Sequence, residues 1–469
     1  MEFNSLIFIV FACIFFCCYP LVKKNNNLRY IYIIIASSIF YGFWDWRYLF
    51  LIVFTGTIDY VASLVIAQNP RIKKICLYIS MACNLSILFS FKYLLWLLGY
   101  VNTFLQSPLF SSLSLSLSPS PPPPPEFFKV LPIGISFYTF QSMSYTIDVY
   151  RGNIRPVRNY FLYFCYLSMF PQLVAGPIVR AKDVIHQIRY PDKLTGARLY
   201  GGVAYIATGF FKKTVIADSL APFVNQAFTE QPLAPDAFYW WLVVVAFSIQ
   251  IYCDFSGYSD IAIGLARWMG IDYKDNFHFP YHSSSPSDFW KRWHISLSSW
   301  FRDYVYIPLG GSRVSPLKVH RNLWTTMLLS GFWHGASLHF VAWGGYHAFL
   351  LSIQRIFNKK IFIPNFVKII LTFFLILLGW IFFRSQSVPQ AFSIFAILFS
   401  PHTYHLQSLF NSPNEMHIII YLFLIFNFLM LSRRIQSIKV KYEPYILGIL
   451  IAITIFYRGQ GNEFIYFQF

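Results

Sequence analysis

Long apolar runs separated by short polar segments recur along almost the whole chain. A helix needs about 20 predominantly apolar residues to cross the roughly 30 Å hydrocarbon core of a bilayer. The pattern therefore predicts an all-α integral membrane protein that crosses the bilayer several times. The predicted spans cover residues 3–22, 28–44, 47–67, 75–100, 128–148, 159–178, 200–218, 239–266, 324–353, 366–383, 416–431 and 445–457.

Basic residues are concentrated in short loops between these runs. Loops that carry Lys and Arg usually stay on the cytoplasmic side of a membrane protein, and alternation of the spans from such loops fixes the remaining topology. This count predicts that the N-terminus and the C-terminus are both extracytoplasmic. The cytoplasmic loops are predicted at Lys23–Arg29, Arg71–Lys74, Arg151–Arg158, Arg355–Lys360 and Arg433–Lys441.

The segment 280–321 does not follow this alternation. It carries several cationic side chains between two predicted spans, yet it is also rich in aromatic residues. Re-entrant or interfacial helices would resolve the conflict, because non-helical backbone at membrane depth is tolerated where protein or a water-filled cavity surrounds it. We therefore expect a cavity in this part of the fold.

The composition narrows the class of protein further. Hydrophobic residues make up 56% of the chain and charged residues only 12%, whereas a soluble chain is about 45–50% apolar. The net charge of +18 could indicate nucleic-acid binding, but the loop placement of the cations explains it by topology, so no nucleic-acid partner is predicted. The seven cysteines form no C-x-x-C pair, and neither a disulfide framework nor a metal site is predicted.

A Ser/Pro-rich tract at 107–126 interrupts the apolar pattern and ends in five prolines and a glutamate. This composition favours an exposed, polyproline-like linker, and the topology places it outside the cytoplasm. The predicted organisation is N-terminal transmembrane helices over 1–106, this linker, a membrane core with the candidate catalytic residues over 127–457, and an extracytoplasmic aromatic tail over 458–469.

One histidine, His334, stands in an otherwise apolar span, beside Trp333 and between Gly331 and Gly335. Ionisable groups at membrane depth are costly and are usually functional there. A neutral imidazole can accept a proton from a hydroxyl near neutral pH, which makes His334 a candidate general base. The alternative is an imidazole that only bridges two helices by hydrogen bonds.

A second candidate, His294, lies in an aromatic and basic stretch. Trp290, Trp293 and Trp300 would share one face of a continuous helix, which is typical of an aromatic belt at a membrane surface. The sharper hypothesis is that neighbouring cations attract the phosphates of a cytosolic donor and that His294 lines the path to His334. The same cations could instead meet anionic lipid. They are Lys291, Arg292, Arg302 and Arg313.

The chain ends in an apolar aromatic segment, 463–469, with a single phenol, that of Tyr466. Tyr and Phe are favoured at the headgroup boundary, so the simpler interpretation is an interfacial anchor. The phenol could also accept an acyl group and present it outside the cell, because the topology places the tail there.

Together these motifs resemble the membrane-bound O-acyltransferase family, specifically its branch of alginate and peptidoglycan O-acetyltransferases. The combination is specific, although any one piece would be weak. The resemblance runs from about residue 130 to the C-terminus, and the Ser/Pro tract is not a recognised family feature. The matching segments are Phe170–Ile178, Tyr252–Asp260, Asn276–Phe277, Pro280–Tyr281, Phe289–Tyr304, Ile307–Gly311, Gly331–Ala336 and Phe464–Phe469.

The resemblance implies a multi-pass helical bundle with re-entrant or interfacial helices around a central tunnel. It implies that His334 is the catalytic histidine, that His294 is a second, cytosol-side histidine, and that Tyr466 is an acyl relay. It also implies a bacterial inner-membrane enzyme that takes an acetyl group from an acetyl-CoA-like donor and has no permanently bound cofactor. The acetyl group would pass to an extracytoplasmic, esterase-like transferase of the SGNH type for O-acetylation of a cell-surface polysaccharide.

Two alternatives stay open at this point. The D-alanyl transfer branch of the same family uses a carrier-protein thioester to modify teichoic acid, and it resembles this chain in the histidine region; the aromatic tail favours the acetyl branch. A transporter or flippase with histidines along its pathway would belong to another class. The lack of an evident two-half repeat weighs against it.

Overall fold

The structure is a computed structural model in which every regular element is a helix. It describes residues 1, 3–105, 130–230, 233–234, 236–357, 364–405, 417–422, 424–425, 443–457 and 464–465, and no β-strand occurs among them. The helices of residues 1–192 are α1 (Leu6–Val22), α2 (Asn26–Asp45), α3 (Leu49–Gln68), α4 (Lys73–Lys92), α5 (Leu94–Leu105), α6 (Ile135–Tyr150), α7 (Tyr160–Ser168), α8 (Phe170–Leu173) and α9 (Ala181–Arg189).

The described residues from 193 onward contain a second set of helices. They are α10 (Gly196–Phe210), a π-helical segment (Phe211–Ala217), α11 (Asp218–Thr229), α12 (Ala237–Met269), α13 (Pro286–Arg292), α14 (Ile295–Phe301), a second π-helical segment (Arg302–Tyr306), α15 (Pro316–His334), α16 (Leu338–Phe357), α17 (Asn365–Arg384), α18 (Val388–Phe399) and α19 (Glu443–Phe456). The chain divides into two compact units, Met1–Asp192 and Lys193–Phe469.

Several helices have the length and composition needed to cross a membrane. Within the described residues these are Asn26–Gln68, which joins α2 and α3, together with Lys73–Lys92, Ala237–Met269 and Asn365–Arg384. The prediction of an all-α, multi-pass membrane protein is confirmed. The predicted linker at 107–126 lies outside the described residues.

Helix α12 is the central element of the second unit. Its 33 residues correspond to a rod of about 50 Å at 1.5 Å per residue, longer than a bilayer core. The Asp236 side chain accepts the N–H of Tyr239 at its start, and Gly270 ends it with a left-handed φ of 88°. Most of its side chains are buried, as expected for a helix that other helices surround.

The predicted span at 324–353 is wrong as a single helix. Helix α15 ends at His334, extended backbone follows at Gly335, and α16 begins at Leu338 and folds back along α15. Two glycines allow this return, because a Cβ on Gly331 would clash with the carbonyl of Phe340, and one on Gly344 with the carbonyl of Met327. Small residues at such crossings let membrane helices approach closely.

The shared helical face predicted for Trp290, Trp293 and Trp300 is also wrong. Helix α13 ends at Arg292, Trp293 is extended, and His294 has a φ of 42° before α14 begins. A left-handed residue without the freedom of glycine is unusual and is held by its surroundings. Because of this break, His294 does not lie on the continuous helix that the aromatic spacing predicted.

The close crossing of α15 and α16 gives a stability prediction with a matched control. Gly344→Ala would force the two backbones apart and should lower the free energy of unfolding by about 1–3 kcal/mol, the usual cost of overpacking. At Gly345 the nearest atoms to an added Cβ lie 3.7 Å away, so Gly345→Ala should be neutral or mildly stabilising. Thermal unfolding of both purified variants tests this, and equal melting temperatures would contradict it.

Candidate active site

A loop after α12 fixes the position of His294. The N–H of Ile295 donates to the backbone carbonyl of Asn276 at 2.8 Å, and the N–H of His278 donates to the carbonyl of Arg292 at 2.9 Å. The Asn276 side-chain oxygen also accepts the N–H of Ser296 at 3.1 Å. These bonds on both sides of His294 hold its left-handed backbone, so the imidazole has one fixed direction.

The His294 side chain is enclosed by aromatic rings. It is 1% exposed, and its ring centroid lies 4.5 Å from that of Phe255 and 6.4 Å from that of Phe277. Burial lowers the pKa of the His294 imidazole below its ordinary value, because the charged form loses its hydration. The ring is therefore neutral near pH 7.

His334 occupies a similar environment at the C-terminal end of α15. The side chain is 4% exposed. The ring centroids of Trp333, Trp343 and Phe383 lie 5.0, 5.0 and 5.2 Å from its own, all in edge-to-face geometry. The helix break at Gly335 leaves His334 at the helix terminus rather than within a continuous span.

One indole connects the two histidines that the sequence singled out. The Trp333 ring contacts His294 at 6.1 Å between centroids as well as its neighbour His334. The structure thus brings His294 and His334 into one aromatic cluster, although 40 positions separate them in the chain.

The structure adds a third histidine, His347, which is not among the candidate residues predicted from the sequence. Its ring lies 4.9 Å from Trp343, the same indole that contacts His334. The side chain is 1% exposed, and neither ring nitrogen has a hydrogen-bond partner among the described residues. Gly379 lies against it, since an added Cβ there would be 2.9 Å from the His347 Nε2 atom. Its helical spacing from His334 gave no signal, because the break at Gly335 changes the register.

A buried ion network lies beside the aromatic cluster. Lys213 Nζ is 2.8 Å from Asp218 Oδ1 and 2.8 Å from Asp254 Oδ1, and all three side chains are less than one-tenth exposed. Charges are costly to bury unless they are paired and hydrogen-bonded. The network therefore fixes the π-helical segment of Lys213 against α12.

The same carboxylate holds the C-terminal tail. The N–H of Ile465 donates to Asp254 Oδ2 at 2.7 Å, so one oxygen of Asp254 pairs with Lys213 and the other binds the tail. The Phe464 ring lies 4.9 Å from Tyr258 and 5.8 Å from Phe255, and Phe255 in turn contacts His294. The tail residues 464 and 465 are thus buried next to the histidine cluster, while Tyr466 lies outside the described residues.

A neighbouring lysine makes a parallel contact. Lys212 Nζ pairs with Asp260 Oδ2 at 2.6 Å. Consecutive helical residues point about 100° apart, and residues six positions apart differ by about 120°, so two adjacent lysines can face two carboxylates on one partner helix. Neither lysine is among the residues predicted from the sequence. The available signal was the need to neutralise charges within the apolar run 200–218.

The predicted donor-binding cations do not lie in the aromatic cluster. Lys291, Arg302 and Arg313 are exposed. Arg292 is partly buried and pairs with Asp288 at 2.9 Å, and Arg302 pairs with Asp303 at 2.7 Å. They form a basic outer surface, and binding of a phosphate-bearing donor there stays a prediction.

Comparison with known proteins bears on this arrangement. The sequence profile described as MBOAT, membrane-bound O-acyltransferase family, matches residues 130–388, a range that contains all three clustered histidines. A probable alginate O-acetylase of Pseudomonas aeruginosa is 38% identical over 418 residues, which cover 87% of this chain and 77% of the relative. The resemblance drawn from the motifs is confirmed.

Two further relatives are named for other substrates. A peptidoglycan O-acetyltransferase of Helicobacter pylori is 33% identical over 79% of this chain and 74% of its own length. A teichoic acid D-alanyltransferase of Bacillus subtilis is 27% identical over 54% of this chain and 69% of its own length. Similarity is therefore higher and more extensive toward the O-acetylating relatives.

The double role of Asp254 predicts that its loss frees the tail. Asp254→Ala removes one of the carboxylates that pair with Lys213 and the acceptor of the Ile465 N–H, so the free energy of unfolding should fall by about 3–5 kcal/mol. Asp254→Asn keeps an acceptor oxygen and should retain more of the tail contact. Carboxypeptidase digestion followed by intact-mass analysis measures tail release.

A matched control is Asp272→Asn, because Asp272 forms a half-exposed ion pair with Arg198 at 2.9 Å. Exposed pairs contribute about 1 kcal/mol or less. This variant should resist digestion as the unmodified protein does. Equal tail release from Asp272→Asn and Asp254→Ala would show that Asp254 does not hold the tail.

Proposed function

This chain belongs to the membrane-bound O-acyltransferase family, and we propose that it moves an acetyl group from a cytosolic acetyl-CoA-type thioester across a bacterial cytoplasmic membrane. The acceptor is a cell-surface polysaccharide of the alginate or peptidoglycan kind. The O-acetylating relatives from Pseudomonas aeruginosa and Helicobacter pylori support this choice. The lower identity and coverage of the D-alanyltransferase make acetyl transfer the better-supported branch.

The chemical step pairs His334 with Tyr466. The His334 imidazole takes the phenolic proton of Tyr466 as general base, while the phenol oxygen attacks the thioester carbonyl. The carbon–sulfur bond breaks, the thiolate leaves, and the imidazolium returns the proton to it as a free thiol. The product is an aryl acetate ester on Tyr466, which keeps enough reactivity to pass its acetyl group to a second hydroxyl.

The docked tail is the observation that carries this proposal. The N–H of Ile465 is bound by buried Asp254, and Phe464 contacts Phe255, which contacts His294. Tyr466 is the next residue after Ile465 in the chain. An interfacial anchor would not require the preceding residues to be buried against a helix of the histidine cluster.

In this proposal the donor binds on the cytoplasmic side of the membrane and the partner protein acts on the extracytoplasmic side. The exposed Lys291, Arg302 and Arg313, with Arg292, would attract the phosphates of the cytosolic donor, and His294 would line the path from there to His334. An extracytoplasmic esterase-like transferase of the SGNH type would take the acetyl group from Tyr466 and deliver it to the polysaccharide. In this scheme both chain termini lie outside the cytoplasm.

Replacement of His334 should abolish thioester consumption. We expect His334→Ala to lower the rate of thiol release from acetyl-CoA by about 10²–10⁴, the usual contribution of a general base. Free thiol is measured with purified protein in detergent. His320→Ala is the control, because His320 lies on the same helix, at its other end, and should retain activity. Full activity of the His334→Ala variant would contradict the assignment of His334 as the general base.

Removal of one phenol tests the relay. Tyr466→Phe keeps the aromatic ring but offers no oxygen, so the C-terminal peptide should gain no acetyl mass after incubation with donor. Tyr457→Phe changes an exposed phenol and should leave acetylation of Tyr466 intact. An acetyl group on the C-terminal peptide of Tyr466→Phe would contradict the relay.

The same assay separates the rival functions. A carrier-protein thioester that is consumed when acetyl-CoA is not would favour the D-alanyl type of donor. Uptake of a labelled substrate into vesicles without thioester consumption would favour a transporter. Consumption of acetyl-CoA that requires His334 excludes both as the main activity.

A further inference from the structure

The first unit contains a buried carboxylate that takes no part in the chemistry proposed above. Asp59 lies in α3, within a helix long and apolar enough to cross a membrane, and its side chain is 0% exposed. Helices α3, α4 and α6 pack against one another around it. Ionisable groups in such a position are expensive and are usually functional.

Oxygen-bearing side chains from α4 and α6 surround this carboxylate. The hydroxyls of Ser80 and Ser142 each donate to it, and the Asn84 amide nitrogen lies 3.0 and 2.9 Å from its two oxygens. The Thr146 side chain of α6 also lies near the Asp59 carboxyl. All four side chains are 0% exposed.

All of these donors are neutral. None of the ion pairs found in the described part of the chain includes Asp59. Neutral donors lower the cost of burying a carboxylate but leave its full negative charge in place. The other intramembrane carboxylates described above, Asp254 and Asp260, each have a lysine.

Two further oxygens point to a ligand rather than to a closed hydrogen-bond network. The Asn84 Oδ1 and Thr146 Oγ1 atoms are both fully buried and have no hydrogen-bond partner among the described residues. Leaving such acceptors unsatisfied costs free energy. Rotation of the Asn84 amide by half a turn would also bring its oxygen, in place of its nitrogen, to the Asp59 side, and this orientation suits a cation.

We infer that Asp59, Ser80, Asn84, Ser142 and Thr146 form a binding site for a small monovalent cation, best fitted by Na⁺. The side chains offer carboxylate, hydroxyl and amide oxygens, which are the ligands that hard cations prefer. One monovalent ion cancels the single negative charge of Asp59. A divalent ion would leave one uncompensated positive charge at membrane depth, which is costly.

The ion has a structural consequence that neutral hydrogen bonds alone lack. Its ligands come from α3, α4 and α6, so it joins the two consecutive helices α3 and α4 to α6, which lies further along the chain. Anything that binds only the folded state stabilises it in proportion to the logarithm of its concentration above the dissociation constant. Thermal stability of the protein therefore depends on Na⁺ itself and not only on ionic strength.

The experiment measures melting of the purified protein by tryptophan fluorescence. NaCl rises while choline chloride falls, so that the ionic strength stays constant. The melting temperature should increase by about 3 °C or more and then saturate. KCl should raise the melting temperature less, because the larger K⁺ ion would push the ligand oxygens of the site apart. An equal response to KCl would overturn the assignment to Na⁺.

Variants locate the effect. Asp59→Asn should abolish the Na⁺-dependent shift in melting temperature. Thr146→Val exchanges a hydroxyl for a methyl group and should raise the Na⁺ concentration at which half of this shift is reached. The matched control is Asp148→Asn, a buried carboxylate on α6 that accepts from Asn153, and it should keep the shift.

Three results would overturn the inference. The first is an unmodified protein that melts equally in NaCl and choline chloride, which would leave a protonated Asp59 as the explanation. The second is a Na⁺ shift that survives in Asp59→Asn. The third result concerns Thr146→Val and decides the matter if Asp59→Asn does not fold. It is a half-saturating Na⁺ concentration equal to that of the unmodified protein.

Discussion

The pairing of Lys213 with Asp254 is the interaction on which the arrangement of the second unit depends. A lone charge in this low-dielectric interior would be neutralised or expelled, so the ammonium of Lys213 must lie between Asp218 and Asp254, 2.8 Å from an oxygen of each. This requirement fixes the π-helical segment on α12. It also leaves one oxygen of Asp254 for the Ile465 N–H. The position of the tail is therefore a consequence of charge neutralisation rather than of tail sequence alone.

The histidine cluster, in contrast to the buried ion pairs, is surrounded by uncharged side chains. His294, His334 and His347 are surrounded by indole and phenyl rings that carry no charge, and burial keeps the His294 imidazole neutral. A neutral imidazole can accept a proton from a hydroxyl, whereas an imidazolium cannot. The cations of the region are either paired with carboxylates, as Lys213 is, or exposed, as Lys291 is. The fold thereby separates the group suited to proton transfer from the groups suited to binding an anionic donor.

The sequence predicted the membrane class and singled out His294 and His334 as candidates, because apolar run length and isolated polar residues are local signals. It did not predict the break at Gly335, since that break depends on Gly331 and Gly344 meeting backbone carbonyls of the other helix. The aromatic spacing also predicted one continuous helix through His294. The backbone of His294 is instead left-handed, and Asn276 in the loop after α12 holds it. Lys213 and His347 were missed for the same reason: their partners are set by tertiary contacts and not by spacing along one helix.

Fusion of the acceptor segment to the catalytic chain changes the energetics of the proposed transfer. A tethered phenol reacts in an effectively unimolecular step, so it avoids the entropy cost of bringing a separate acceptor into a buried site. Strong docking has an opposing effect, because an acetylated tail must still present its ester to an extracytoplasmic partner. Within the described tail residues, the backbone hydrogen bond from Ile465 to Asp254 and the packing of the Phe464 ring suit this compromise. They position the residues before Tyr466 through contacts that are not covalent and can be broken when the tail moves.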